Sequence, residues 1–268
     1  MLTRDGFKQR FAARALFGMV HLQALPGAPL FGGSIDAVID AALRDARAIA
    51  DGGADGLMFE NFGDRPFTKG RVEAETVASI ARVVAEVVRV VRIPFGVNVL
   101  RNDLLSALGI AAATGAAFVR VNVHTGAMLT DQGIIEGDAH TALRKRAAIA
   151  PGVAIFADHF VKHAVPLGNL DRVQVAKDLR ERGLADALIV TGAETGAAPD
   201  ADQLRTLREA IDAPLLIGSG LSEDNASSFA DADGAIVGTS LKRDGVVDRE
   251  RVERLVHAFK TRDRSPKD

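Results

Sequence analysis

Short runs of β-branched and small apolar residues alternate along this chain with stretches of helical periodicity. Each run ends on glycine or on polar side chains able to bind a ligand. Strands that alternate with helices indicate βαβ units, and such units require a parallel sheet. The eight runs lie near residues 15–22, 56–60, 94–100, 118–123, 153–161, 187–192, 214–220 and 234–240.

Eight βα units in a chain of 268 residues predict a closed (β/α)8 TIM barrel of the α/β class. No linker interrupts the pattern, so we expect residues 1–268 to form a single barrel domain, with a short amphipathic helix over residues 3–14 closing its bottom. The connections over residues 60–70 and 124–137 are long, and long loops in compact domains are commonly lids or binding loops. Both lie at the end of the barrel where such enzymes bind substrates.

Polar side chains alternate with valines along the fourth predicted strand. Arg120, Asn122 and His124 share one parity, and the valines share the other. Because alternate side chains of a strand share a face, the polar set is predicted to point into the barrel. A barrel interior is normally filled by packed side chains, so these groups need partners or a ligand. Either they form a buried hydrogen-bond network or they belong to a reaction centre.

Charged and polar groups also stand at the ends of other strands. A structural core avoids collecting charges, because a buried charge costs several kcal/mol unless it is paired. Active sites bring such groups together to shift their pKa values. The candidate catalytic residues are therefore Glu60, Asp158, His124, Arg120 and Lys162. The candidate substrate-binding residues are His21, Asn61, Asn98, Asn122 and Thr191.

Glycine and hydroxyl residues follow the last two strands. In this fold the loops after strands seven and eight often bind phosphate, because glycine lets backbone N–H groups approach an anion. Tight turns are the alternative, and Lys242 is interpreted as a solvated rim residue. After the sixth strand, Thr191, Gly192 and Gly196 could form another loop of close backbone approach, opposite strand two, and Glu194 is either a ligand group or merely exposed. The candidate phosphate-binding residues are Gly218, Ser219, Gly220, Gly238, Thr239 and Ser240.

Composition narrows the class of function. A net charge of −2 gives no sign of a nucleic-acid partner, and the absence of cysteine excludes disulfides, thiol nucleophiles and zinc–thiolate sites. No apolar run approaches the roughly 20 residues of a membrane span, and the N-terminus lacks the apolar core of a signal peptide. We expect a cytoplasmic protein without a transmembrane segment, and leave a peripheral membrane association open.

Five long segments carry a recognisable pattern: GMVHLQALPGAP at 18–29, DGLMFENFGDRPF at 55–67, GVNVLRND at 96–103, RVNVHTGAMLTDQGIIEGDAH at 120–140 and ALIVTGAETG at 187–196. They resemble the BtpA/SgcQ family, named after a photosystem I biogenesis protein and related bacterial and archaeal proteins. The similarity covers nearly the whole chain and implies a ribulose-phosphate-binding-type barrel. Gln23 and Glu194 depart from the family pattern, which leaves specificity at the rims of strands one and six open.

The residues favour an enzyme that acts on a small phosphorylated metabolite, either a sugar phosphate or a phosphorylated nucleoside fragment. Glu60 and Asp158 are the candidate general acid and base, and His124 is a candidate proton shuttle. Arg120 would orient a carboxylate or stabilise an oxyanion. Lys162 would either form a Schiff base or pair with Asp158. The expected chemistry is isomerisation, epimerisation or bond cleavage of the lyase type.

Two other functions stay open at this point. The resemblance also implies a non-catalytic assembly factor for a membrane complex, whose outer surface binds a partner. Metal-assisted hydrolysis of a phosphate ester or nucleotide is the third candidate, without a P-loop motif. The residues require no cofactor, although a divalent metal held by Glu60, Asp158 and a histidine is left open. By analogy with related barrels we expect a homo-oligomer.

Overall fold

Eight parallel strands close into a barrel in the computed structural model, which describes residues 1–192 and 200–261. Each strand pairs with the next one along the chain, and the last pairs with the first, where Ala15 lies opposite Gly234. The predicted (β/α)8 class is confirmed. The strands are β1 (Ala15–His21), β2 (Gly56–Glu60), β3 (Phe95–Asn98), β4 (Phe118–Val121), β5 (Ala154–Asp158), β6 (Ala187–Val190), β7 (Leu215–Ile217) and β8 (Gly234–Val237).

Helices surround the barrel, and within the described ranges none is long and apolar enough to cross a membrane. After β5, a helix continues into a π-helical segment, Asp178–Arg182. After β7, the chain forms a 3-10 helix, Glu223–Phe229, in which asparagine and serine side chains compete for backbone hydrogen bonds. The α-helices are α1 (Arg4–Phe11), α2 (Ile35–Asp51), α3 (Ala74–Val90), α4 (Leu104–Thr114), α5 (Ala139–Ile149), α6 (Arg172–Lys177), α7 (Ala201–Ala210) and α8 (Arg249–Lys260).

Phenylalanine rings fill the bottom of the barrel. Helix α1 inserts Phe7 and Phe11 into this cluster, so the N-terminal helix closes the barrel where the sequence predicts it. The rings of Phe118 and Phe156 stack with centroids 4.5 Å apart, and Phe11 lies 5.6 Å from Phe118. Because packed rings occupy this end, the barrel is open only where the strands finish, and any ligand would have to enter there.

A larger apolar core lies between the strands and the surrounding helices. Strand β1 and helix α2 approach each other closely at Gly18, where an added Cβ would lie 2.5 Å from a methyl carbon of Ile49 on α2. Helix α3 contributes a fully buried stripe that includes Val83 and Val87. Burial of these side chains, each worth about 1.5–3 kcal/mol, holds the strands in a fixed register. The C-terminal ends of the eight strands, which we call the mouth of the barrel, are therefore fixed in position together with their side chains.

The long connection after β4 folds into a hairpin instead of an irregular loop. Its strands are Ala127–Thr130 and Gly133–Glu136, and a third strand, Ala164–Pro166, pairs antiparallel with the first of them. The register places Leu129 between Ile134 and Val165, and their exposed fractions range from 46% to 63%. This three-stranded outer sheet therefore presents an apolar row beside the mouth.

Candidate active site

Two adjoining cavities open at the C-terminal ends of the barrel strands. The first has a volume of about 410 Å³ and the second of about 390 Å³, and they share Glu60, Phe62, Arg120 and Lys162. The first is otherwise lined by Met19, His21, residues 218–220 and 236–240, Lys242 and Gly245. The second is otherwise lined by Arg65, Phe67, Leu100, Arg101, Asn122, Asp131 and His163.

Arg120 is held at the boundary between the cavities by a buried carboxylate. Its Nε and Nη2 donate to Oδ1 and Oδ2 of Asp158 over 2.9 and 3.0 Å, and Nδ2 of Asn122 donates to Oδ2 over 2.8 Å. Burial opposes the charged form of Arg120, but Asp158 and Glu60 outweigh it and raise the pKa of this group. The guanidinium is therefore a fixed positive charge.

Asp158, a candidate general acid or base in the sequence, is not placed where it could exchange a proton with a ligand. Its carboxylate accepts hydrogen bonds from both Arg120 and Asn122, and the residue lines neither cavity. Among the described residues the ion-pair partner of Asp158 is Arg120, which donates to both carboxylate oxygens, and not Lys162. Asp158 therefore orients Arg120.

Glu60, the last residue of β2, faces both cavities. Its Oε2 accepts a hydrogen bond of 2.6 Å from Nδ2 of Asn98, the last residue of β3. Its Oε1 lies 3.7 Å from Nε2 of His21, the last residue of β1. Three neighbouring strands thus place a carboxylate, an amide and an imidazole side by side, because the barrel register aligns His21 with Glu60 and Glu60 with Asn98.

His21 is held as a neutral imidazole with a defined proton. Its Nδ1 lies 2.8 Å from Nζ of Lys242. A lysine ammonium can only donate, so Nδ1 accepts and the imidazole proton sits on Nε2, toward Glu60. Burial lowers the pKa of His21 to about 4. The carboxylate of Glu60 acts against burial, and the positive charges of Lys242, Lys162 and Arg120 add to it.

Lys242 is not the solvated rim residue that the sequence suggests. It follows the short 3-10 turn Thr239–Leu241, lines the first cavity and is half-buried. Burial lowers its pKa, against the opposing carboxylates of Asp45 and Glu60. In the sequence, only its place after the glycine–hydroxyl segment of β8 indicates that Lys242 could line this cavity. Whether a lysine there turns inward depends on the turn, which the local sequence does not specify.

Lys162 lines both cavities, and its Nζ has no hydrogen bond or ion pair with any atom of the described residues. Burial and then the positive charge of Arg120 lower its pKa, while Glu60 and Asp158 act in the opposite direction. The amine is therefore available to a ligand at the boundary of the two cavities.

The predicted phosphate residues line the first cavity together with Glu60, and form what we call its glycine–hydroxyl wall. Gly220 has a positive φ of 67°. At Gly238 an added Cβ would lie 2.9 Å from Cε1 of His21, so only glycine fits there without moving the imidazole. The Oγ of Ser219 accepts from the backbone N–H of Gly192 over 3.2 Å, and Ser240 donates to the carbonyl of Leu221 over 2.5 Å. The wall is a compact group of backbone and hydroxyl groups.

His124 lies away from these groups. Strand β4 ends at Val121, so the alternation that directs Arg120 inward does not extend to His124. Its Nε2 donates to the carbonyl of Gly183 over 2.7 Å, and it lines a separate cavity of about 150 Å³. Burial is the main cause that lowers its pKa. The structure gives no geometric support for His124 as a proton shuttle.

Two predicted substrate-binding residues instead fix loops. The Nδ2 of Asn61 donates to Asp64, and its Oδ1 accepts from the backbone N–H of Leu100. Thr191 donates to the carbonyl of Phe160 over 2.5 Å and lines another cavity. Neither residue lines the two cavities at the mouth. Gly196 and Glu194 lie outside the described residues.

The metal ligands considered in the sequence do not come together. Asp158 is engaged by Arg120 and Asn122, whereas Glu60 is bound by Asn98. Across residues 1–192 and 200–261, no group of three histidine, aspartate or glutamate side chains is arranged to hold a metal ion.

Comparison with known proteins identifies the family. The model of the BtpA family matches residues 12–261. The chain belongs to the BtpA family. TK2179 of Thermococcus kodakarensis is 48% identical over 256 residues, covering 93% of this chain and 97% of the relative. The photosystem I biogenesis protein BtpA of Synechocystis is 45% identical over 250 residues, covering 91% and 87%. SgcQ of Escherichia coli is 35% identical over 252 residues, so the BtpA/SgcQ resemblance is confirmed.

Solved structures share the fold of this BtpA-family chain. One is (S)-3-O-geranylgeranylglyceryl phosphate synthase from Thermoplasma acidophilum in complex with sn-glycerol-1-phosphate. It has a TM-score of 0.62 at 13% identity and covers 97% of this chain and 99% of its own. Thiamine phosphate pyrophosphorylase from Pyrococcus furiosus has a TM-score of 0.59 at 16% identity and covers 94% and 97%. At such identities the likeness shows the barrel fold alone.

Proposed function

We propose that this BtpA-family protein is an enzyme that acts on a small phosphorylated metabolite, with the phosphate bound in the first cavity. One observation carries the proposal: the glycine–hydroxyl wall and Lys242 line the same cavity as Glu60 and His21. Backbone N–H groups, hydroxyls and a lysine suit a phosphate, whereas a carboxylate beside a neutral imidazole suits proton transfer. The synthase with the same fold, which is described with sn-glycerol-1-phosphate, agrees with this assignment.

The reaction class that fits best is isomerisation, epimerisation or carbon–carbon cleavage next to a carbonyl. Glu60 would remove or return the proton, since its carboxylate faces the cavity. The Nε2–H of His21 and the guanidinium of Arg120 would stabilise the negative charge that develops on the carbonyl oxygen. Lys162 would hold the same oxygen as a cation, or attack the carbonyl carbon as a free amine.

Thermal melting with phosphorylated compounds tests the binding half of this proposal. A ligand present at 100 times its dissociation constant adds roughly 2.7 kcal/mol to stability. We expect such a shift with a sugar phosphate, its loss in Lys242→Gln, and its retention in Lys69→Gln, which removes an exposed lysine outside both cavities. If no phosphorylated compound shifts the transition, the proposal is wrong.

Exchange of carbon-bound hydrogen in D2O tests the chemical half. A ligand identified by melting should exchange hydrogen next to its carbonyl, or give cleavage products, when followed by NMR. Glu60→Gln should bind the ligand and lose the exchange, because an amide cannot accept the proton. Exchange at the wild-type rate in Glu60→Gln would rule out Glu60 as the base.

Attachment to a partner protein is the second candidate function. The apolar row of Leu129, Ile134 and Val165 favours it, because large exposed apolar patches often mark interaction surfaces. The name of the Synechocystis relative, a photosystem I biogenesis protein, agrees with it. This reading predicts that Leu129→Asp abolishes cellular function while Glu60→Gln preserves it. The enzyme proposal predicts the reverse.

A further inference from the structure

We infer that the second cavity is a second anion-binding site, so that the ligand carries an anionic group at each end. A phosphate would lie in the first cavity, and a carboxylate or a second phosphate in the second. The inference deepens the proposed function and rests on it for the first of these groups. The two cavities adjoin along Glu60 and Lys162, so one compact ligand can extend from one into the other.

Arg101 is a buried guanidinium that lacks a carboxylate partner within residues 1–192 and 200–261. It is 6% exposed and lines the second cavity. Its Nη2 donates to the carbonyl of Lys162 over 2.9 Å, while its Nε is buried and has no partner among the described residues. Arg120, which is equally buried, has Asp158 as its counter-charge. Because an unpaired buried charge costs several kcal/mol, the missing counter-charge at Arg101 points to an anionic ligand.

Asn122 supplies a second unmet group in the same cavity. It is 4% exposed, and its Nδ2 is used by Asp158. Its Oδ1 is buried and has no partner in the part of the chain that the structure describes. An amide oxygen can only accept, so it requires a donor such as a ligand hydroxyl. A hydroxylated carbon chain that ends in an anion would satisfy both Asn122 and Arg101.

The other charges of the second cavity leave an excess of positive charge. Arg65, on the loop after β2, and Lys162 add to Arg101. The negative charges of this cavity are those of Glu60 and of Asp131, and Asp131 lies at the exposed hairpin tip. Arginine binds carboxylates and phosphates through paired donors, so the Arg101 end of the cavity is suited to either group.

Matched pairs of compounds test the inference in solution. Each pair shares one phosphate, and only its second member carries another anionic group: glucose 6-phosphate with 6-phosphogluconate, glycerol 3-phosphate with 3-phosphoglycerate, and ribulose 5-phosphate with ribulose 1,5-bisphosphate. Calorimetry should give at least one pair in which the second group tightens binding roughly tenfold to a hundredfold, as expected for hydrogen bonds to a charged group.

Variants of Arg101 locate the effect. Arg101→Gln should abolish the preference for the second anionic group and leave the affinity for the monophosphate within about threefold, whereas Arg101→Lys should keep part of the preference. Lys69→Gln, an exposed lysine outside both cavities, should change neither affinity. Monophosphate binding without any preference would overturn this inference alone. Failure of all six compounds to bind would overturn it together with the proposed function.

Crystals soaked in selenate give an independent check, since anomalous scattering marks each bound ion. We expect one ion beside Gly220 and Thr239 and another beside Arg101, and only the second should disappear in Arg101→Gln. An ion in the first cavity alone would contradict the inference. An ion at Arg101 alone would contradict the phosphate site of the proposed function and leave the second site standing.

Discussion

Arg120 and Asp158 form a two-point ion pair inside the barrel, across the neighbouring strands β4 and β5, and the side chain of each is at most 3% exposed. The two donor–acceptor distances, 2.9 and 3.0 Å, are those of ordinary hydrogen bonds between charged groups. The pair explains how a positive charge can stand at the floor of the mouth. It also explains why Asp158 is unavailable as a base.

Asp158→Asn should destabilise the protein by about 3–5 kcal/mol, because it leaves the Arg120 guanidinium buried without its counter-charge. Urea unfolding measures the loss. Asp131→Asn, at the exposed hairpin tip, is the matched control and should stay within about 0.5 kcal/mol of the wild type. A loss below about 1 kcal/mol in Asp158→Asn would show that Arg120 is solvated and not dependent on this carboxylate.

Lys242→Gln should raise the pKa of His21 above its value of about 4. The substitution removes a cation that lowers this pKa and replaces the ammonium that donates to Nδ1. NMR titration of the imidazole resonances measures the change. Lys260→Gln on α8, far from the mouth in its pairing with Asp55, serves as the control. An unchanged titration in Lys242→Gln would contradict the tautomer assigned to His21.

Stability should fall as the pH falls from 7 to 5, in part through His159. Burial and the hydrogen bond of its Nε2 to the Arg172 carbonyl act in opposite directions, and burial prevails and lowers the pKa to about 4. The unfolded chain, with a pKa near 6.5, therefore binds a proton that the folded chain does not. The contribution of His159 is present above about pH 6.5 and decreases by about 2 kcal/mol between pH 7 and 5.

His159→Gln should accordingly flatten the dependence of unfolding free energy on pH between 7 and 5. His257→Gln on the exposed side of α8 should leave the dependence as it is in the wild type. Part of the slope remains in His159→Gln, because the pKa of His21 is lowered to a similar value. An identical slope in wild type and His159→Gln would mean that His159 takes up a proton in the folded state.

The barrel follows directly from the alternation of apolar runs and helical stretches, since each βα unit buries one face on its neighbours. The same alternation indicates that Arg120 and Asn122 point inward. It misdirects the interpretation of His124, because the alternation is lost within a few residues of the end of the hydrogen-bond ladder: Asn122 still points inward, and His124 does not. The ladder ends at Val121, where the hairpin of the outer sheet draws the chain away.

Rim residues are harder to predict than strand residues for a physical reason. Lys242 and Arg101 follow strand ends, and their directions depend on turns that are set by contacts distant in sequence. Lys242 meets His21, which is 221 residues away, and Arg101 meets Lys162, which is 61 residues away. A local pattern contains no record of such contacts, so their inward positions emerge only from the folded chain.

His124→Gln should leave ligand binding and turnover unchanged, because His124 lines a cavity separate from the mouth. Loss of the buried hydrogen bond to the Gly183 carbonyl should lower the unfolding free energy by about 1–3 kcal/mol. Melting with and without ligand measures stability and binding, and product formation measures turnover. A ligand shift that disappears in His124→Gln, with the fold retained, would return His124 to the site.

Gly238→Ala should weaken phosphate binding while lowering the free energy of unfolding by a smaller amount. The added methyl group would lie 2.9 Å from Cε1 of His21 and 3.4 Å from Cβ of Met19, so the half-buried imidazole must turn away from Glu60. Gly109→Ala in α4 is the matched control, because nothing lies within 4 Å of its added Cβ. That substitution should stabilise the protein by about 0.5–1 kcal/mol through helix propensity and leave binding intact. Equal ligand affinity in Gly238→Ala and the wild type would mean that the position of His21 does not matter to the bound phosphate, and the first cavity would then need another occupant.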